Sequence, residues 1–235
     1  MTLFRFHQKR HASILQAIQT FTRAQPVMTP DLIAAFILYA FVSSITPGPN
    51  NTMLLASGVN FGLRASLPHI LGINIGFSIL VLSCGLGIGA LFELWPALHD
   101  VLKYAGALYM AWLAWKIARS GAPQTAGAKP KPFTFLQAAA FQWVNPKAWI
   151  MAIGAIAAYT PADGFFTNVL IITLLYSLTG GPSSLAWAAA GTLLRGFLAN
   201  PKRLQVFNIA MALLLLASLY PVMIDAAQGI GLMLH

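Results

Sequence analysis

One stretch constrains this chain more than any other. From Leu32 to Phe61 the residues are mostly apolar, yet Thr46-Pro47-Gly48-Pro49-Asn50-Asn51 is set inside that run. Pro47 and Pro49 each lack a backbone donor. Gly48 between them tolerates backbone angles that other residues avoid. A helix entering this segment has to break, and the carbonyls ahead of the break lose their helical partners. In a soluble core that would be a costly defect. In a bilayer a broken helix is tolerated only where protein or a water-filled cavity satisfies the freed groups. Such a break near the midplane is the usual pointer to a transport site.

Composition supplies the membrane. Of the 235 residues, 58% are hydrophobic and only 8% are charged, against about 25% charged in soluble domains. A spanning helix needs about 20 mainly apolar residues, and several runs here reach that length. The net charge of +9 would suit a nucleic-acid partner, but the basic residues fall in short groups between apolar runs. They read as a topology signal, and no nucleic acid is expected. Cys84 is the only cysteine, so an intramolecular disulfide is excluded.

Six apolar runs follow in order. The first extends from about Asp31, read as an N-cap, through the break to about Asn60. The second covers about Leu67 to Leu91, with small-residue pairs Gly72/Gly76 and Gly85/Gly89 that suit close helix packing. Gly85-Leu86-Gly87-Ile88-Gly89 lacks the strand–turn–helix context of a nucleotide loop. The third, about Val101 to Ala118, carries Tyr104, Tyr109, Trp112 and Trp115, an interfacial aromatic belt. After a Gly/Ala/Pro/Lys-rich linker at Ser120 to Pro132, the fourth covers about Phe135 to Tyr159, interrupted at Gln142-Trp143-Val144-Asn145-Pro146-Lys147. The fifth, about Asn168 to Leu194, contains Gly180-Gly181-Pro182 and is expected to kink. The sixth covers about Leu204 to Ile224.

The first and fourth runs each open one half of the chain, and each is interrupted by proline beside asparagine. Three is odd, so two three-span halves enter the membrane with opposite orientations. The expected fold is an all-α membrane protein of six transmembrane helices, built as two inverted three-helix repeats with broken helices 1 and 4. Residues 28–225 form the transporter domain, repeat one about 28–120 and repeat two about 133–225, with a C-terminal tail at 226–235. Two unrelated kinked helices are the alternative. Short loops 1–2, 3–4 and 5–6 hold Arg64; Lys116, Arg119, Lys129 and Lys131; then Arg195, Lys202 and Arg203. Loops 2–3 and 4–5 hold only Lys103. The positive-inside rule puts the first set in the cytoplasm and both termini outside. The basic extension at 1–27 then lies on the wrong side. Three readings stay open for it: a basic surface helix, a flexible tail, or residues ahead of a native start at Met28.

Ser44-Ile45-Thr46-Pro47-Gly48-Pro49-Asn50-Asn51 followed by Phe61-Gly62-Leu63-Arg64 resembles the first-helix signature of the lysine exporter (LysE) superfamily, RhtB-type homoserine/threonine efflux branch. His69-Ile70-Leu71-Gly72 fits the same pattern, as do Lys103-Tyr104-Ala105-Gly106-Ala107-Leu108-Tyr109 and Ala114-Trp115-Lys116. Phe141-Gln142-Trp143-Val144-Asn145-Pro146-Lys147-Ala148-Trp149 is similar to the family's Asn-Pro-Lys motif. The resemblance covers about Met28 to Ile224. It implies a multi-pass exporter of amino acids in the bacterial cytoplasmic (inner) membrane, driven by an ion gradient and often homo-oligomeric, without a cofactor. It also implies that Pro47, Gly48, Pro49, Asn50, Asn145, Pro146 and Lys147 line or shape the pathway, with Asn51 and Gln142 as adjacent candidates.

A zwitterion brings a carboxylate and an ammonium, and both need compensation in a low-dielectric site. Lys147 is the candidate for the carboxylate, since an intramembrane ionisable group is a functional hypothesis by default. The alternative is that its helix starts after Pro146 and Lys147 snorkels to the cytoplasmic face. Carbonyls freed ahead of Pro47 and Pro146, with Asn50, Asn51 or Asn145, could hold the ammonium; the same asparagines could instead cap broken helices. Asn74 suits an interhelical hydrogen bond or a substrate contact. Asp31, Glu93, Asp100, Asp163 and Asp225 all fall at span ends or in loops. No carboxylate is expected to pair with a cationic side chain, so neutral amino acids such as homoserine, threonine or aliphatic residues are the expected cargo. That absence also leaves the expected proton coupling without an acidic relay; His69 has a suitable pKa but is placed at a cytoplasmic turn. Export of another solute or a cation is the alternative. Clustered metal ligands are absent from the spans, and Ser44 and Thr46 have no complete catalytic partnership with His69 or Lys147. No catalytic residue and no metal are expected.

Overall fold

The computed structural model describes residues 28–87, 94, 96–120 and 131–220. The N-terminal extension at 1–27, the tail at 226–235, Gly89 and most of the linker lie outside the described residues. Among those described the fold is all helical, with eight α-helices: α1 Pro30–Ile45, α2 Pro49–Phe61, α3 Leu63–Gly85, α4 Pro96–Ala118, α5 Phe135–Phe141, α6 Pro146–Tyr159, α7 Phe165–Leu194 and α8 Pro201–Ala217. Short 3-10 turns cover Gln142–Val144 and Phe197–Ala199.

Proline and its preceding residue set the boundaries. Thr46 takes φ −63° and ψ 143°, the extended geometry forced on a residue ahead of proline, so α1 stops at Ile45. Pro49 then opens α2 at the first helical position, where its missing donor costs nothing. The axes of α1 and α2 differ by 54°. Asn145 repeats the device with ψ 107°, and its side chain accepts the Lys147 amide at 3.2 Å. Asn200 does the same ahead of Pro201, capping Lys202 at 2.9 Å. The first helix is capped by Thr29, whose hydroxyl accepts from Leu32 N at 3.3 Å, and not by Asp31 as expected. Asp31 lies in the first turn, where its charge meets the positive end of the helix dipole.

Gly180-Gly181-Pro182 does not end a helix: α7 continues through it for 30 residues. Gly181 instead leaves space for Asn74, whose Nδ2 would lie 2.9 Å from an added Cβ. By length and composition α3 and α7 can each cross a membrane, with mean hydropathies of 1.8 and 1.5, and α1 with α2 passes as one bent span.

Backbones approach closely where α2 meets α7 and where α3 meets α5. An added Cβ at Gly72 would lie 2.3 Å from the Phe135 carbonyl oxygen, so the Gly72/Gly76 pair packs as expected. The two ends of the bundle differ in chemistry. At one, Met28 N donates to Asn168 Oδ1 at 3.1 Å, and Asn168 Nδ2 donates to the carbonyl of Asp163 at 2.9 Å. At the other, Asn60 and Asn208 exchange hydrogen bonds of 3.0 and 3.3 Å, and Asn208 donates to the Ser120 carbonyl. Arg195 lies against Gly62 at the same end, so the loops bearing Arg64, Arg119 and Arg195 are gathered together.

Candidate functional site

The two breaks meet. Lys147, in the first turn of α6, reaches across to the end of α1 and donates to Thr46 O at 2.8 Å, Thr46 Oγ1 at 2.9 Å and Pro47 O at 3.3 Å. Its stem lies over Gly48, where an added Cβ would be 2.7 Å from Lys147 Cδ. The φ of Gly48 is 176°, ordinary extended backbone, so glycine is needed here for space. Among the described residues no carboxylate pairs with Lys147. Its charge is met by uncharged oxygens at the negative end of the α1 dipole.

Every carbonyl freed by the first break is taken. Ser44 O accepts from Asn51 Nδ2 at 2.7 Å and Ser183 Oγ at 3.0 Å. Ile45 O accepts from Trp187 Nε1 at 3.1 Å. Thr46 O accepts from Asn51 Nδ2 at 2.8 Å as well as from Lys147. The sequence left these carbonyls as possible holders of a substrate ammonium, with Asn50, Asn51 or Asn145 beside them. Carbonyls freed inside a membrane run need partners from protein or water, and side chains from α2, α6 and α7 supply them. Beside them Asn50 and Gln142 pair reciprocally, at 2.8 Å from Asn50 Nδ2 and 3.1 Å from Gln142 Nε2, tying α2 to the turn between α5 and α6.

A cavity of about 50 Å³ lies against this junction, with room for a few water-sized groups. Gly48, Asn50, Asn51, Asn74, Asn145 and Lys147 line it. Pro47, Pro49, Gln142 and Pro146 do not; the prolines end and start the helices, and Gln142 buttresses Asn50. Asn74 lines the cavity and also makes an interhelical bond, Nδ2 to Ser177 O at 3.3 Å. Two amide orientations are settled by their partners. Asn51 Nδ2 donates to two carbonyls, which leaves Oδ1 as an acceptor; Asn145 Oδ1 accepts a backbone amide, which leaves Nδ2 as a donor. The cavity thus carries an ammonium, an amide donor and amide acceptors among Ile73, Phe77 and Met151.

Sequence reasoning did not single out Thr46, Ser183, Ser184 or Trp187 as site residues. The two from α7 with direct bonds, Ser183 and Trp187, could be found only by their tertiary approach to the break. His69, expected near a cytoplasmic turn, packs inside the protein. It is fully buried and stacked on Phe133 at 4.9 Å, with both ring nitrogens unpartnered among the described residues. Among the described residues no group of three metal-ligating side chains occurs.

The Asn50–Gln142 pair yields a stability prediction. Gln142→Leu strands the Asn50 amide and is expected to cost about 1–3 kcal/mol. Adding Asn50→Leu removes the stranded group and should recover part of that loss. Thermal melts of the purified single and double variants check it; a double variant no more stable than Gln142→Leu would contradict it.

A model of the LysE type translocator family matches residues 41–219. A cysteine/O-acetylserine efflux protein of Escherichia coli O139:H28 is 36% identical over 191 residues, covering 80% of this chain and 96% of the relative. Proteins of the same description from Escherichia coli K12 and Shigella sonnei are 36% identical over 190 residues, 80% of this chain and 95% of each relative. No solved structure matches the chain significantly.

Proposed function

This chain belongs to the LysE type translocator family, and from that membership we propose that it exports a small neutral amino acid from the bacterial cytoplasm, driven by the proton gradient. It is a transporter and not an enzyme. The observation that carries the substrate class is Lys147 facing a cavity with no carboxylate among its lining residues. A fixed ammonium attracts a substrate carboxylate, with Asn145 Nδ2 as a second donor. The acceptors of Asn51 and Asn74 suit the substrate ammonium, and nothing there neutralises a second positive charge. The relatives' names add cysteine and O-acetylserine to homoserine and threonine as cargo of this class.

The architecture that goes with this reading is six spans in two inverted repeats, multi-pass in the cytoplasmic membrane, with the basic loops inside. The clustering of the Arg64, Arg119 and Arg195 loops at one end supports that orientation.

Inside-out vesicles given labelled L-cysteine, O-acetyl-L-serine, L-homoserine and L-lysine, with and without a proton gradient, test it. The neutral amino acids should accumulate in a gradient-dependent way, and lysine at least about tenfold less, because its second charge would be left unpaired. Equal lysine flux overturns the neutral class, and flux indifferent to the gradient overturns the coupling.

A further inference from the structure

The ammonium assigned to the substrate is already occupied. It has three donors, and three oxygens accept from it: Thr46 O, Thr46 Oγ1 and Pro47 O, at 2.8, 2.9 and 3.3 Å. An entering carboxylate gains a charge-assisted bond to Lys147 only by replacing one of them. The two carbonyls are held by the backbone. The Thr46 hydroxyl can turn, and it already donates to Ser43 O at 2.9 Å, so it keeps a partner when the lysine leaves.

We propose that the bond from Lys147 Nζ to the Thr46 hydroxyl is a substrate-released latch: it helps to bind the end of α1 to the start of α6, and the carboxylate of a neutral amino acid opens it by taking the hydroxyl's place on the ammonium. The inference rests on the export reading and adds to it a role for Thr46 as a positioning residue. The bond joins positions 101 apart in sequence, one in each half of the chain. Its path crosses Gly48, which has no side chain to block the swing of the lysine stem. The neighbouring Asn50–Gln142 tie is neutral and satisfied within itself, so a carboxylate has no comparable hold on it. Between these two ties, only the one at Lys147 responds to substrate charge.

A latch that competes with substrate lowers the observed affinity by the fraction of protein that is unlatched. Weakening it should therefore tighten binding. Thr46→Val keeps the branched shape and removes the hydroxyl acceptor. In full-length protein purified into lipid nanodiscs, Kd for labelled L-cysteine, O-acetyl-L-serine or L-homoserine is expected to fall about three- to tenfold. Thr46→Ser, which restores the hydroxyl, should return it to the wild-type value. A merely structural Thr46 would give weaker binding when replaced. An unchanged or raised Kd in Thr46→Val overturns the latch while leaving the export reading standing. Wild-type protein that binds none of the three probes overturns both.

Discussion

Amino acid export by Lys147→Met is expected to fall to background, with the protein still inserted and folded. Methionine keeps an apolar stem over Gly48, one atom shorter than lysine, but supplies no donor. The site then loses the positive charge that faces the cavity, and the Thr46 and Pro47 carbonyls lose one partner each. Hydrogen bonds to charged groups contribute about 1.5–3 kcal/mol each. Losing one such bond to the substrate carboxylate alone lowers transport by about 10- to 100-fold. Thr46 O retains Asn51 as a donor at 2.8 Å, which is why the fold should survive. Initial export rates in vesicles, normalised to protein in the membrane, decide the point. Unchanged export would remove Lys147 from the mechanism and make it a snorkelling side chain.

Gly58→Val is expected to do the opposite, destroying the fold while touching no group in the cavity. An added Cβ at Gly58 would lie 2.1 Å from the Ala188 carbonyl oxygen, and one at Gly191 2.2 Å from that of Leu55. The two glycines make a mutual notch where α2 and α7 run backbone against backbone. The obstructing atom is main chain, so no rotamer change relieves it. Overpacking commonly costs 1–3 kcal/mol, and about 3 kcal/mol or more is expected here. Detergent-purified Gly58→Val should melt well below wild type or fail to stay monodisperse. Gly196→Ala, where an added Cβ has open space, should melt like wild type. A Gly58→Val protein as stable as wild type would mean that α2 and α7 do not pack as described.

What could be read before folding is local. Pro47, Pro49 and Pro146 end or begin helices through their own ring geometry and that of the preceding residue, wherever the chain is placed. Composition likewise requires a membrane, because so few charged residues cannot cover a soluble surface. The small-residue pair Gly72/Gly76 announced a close approach because glycine brings backbones together whatever the partner, although it did not say that the partner is α5.

The contents of the site were decided by tertiary structure. The sequence showed that carbonyls would be freed at Thr46 and its neighbours and offered them to the substrate. The fold gave them to Asn51, Ser183, Trp187 and Lys147 instead, because an unpaired polar group is costly and these donors arrive from α2, α7 and α6. Which donors arrive depends on helix crossings between residues up to 142 positions apart, and no local pattern encodes those. For the same reason His69, near a turn in sequence, is buried against Phe133. Asn50, which lines the cavity, and Gln142 are each other's partner, a pairing that no local pattern encodes. The chain alone determined that there are two breaks; only their meeting determined that Lys147 of one is held by Thr46 of the other.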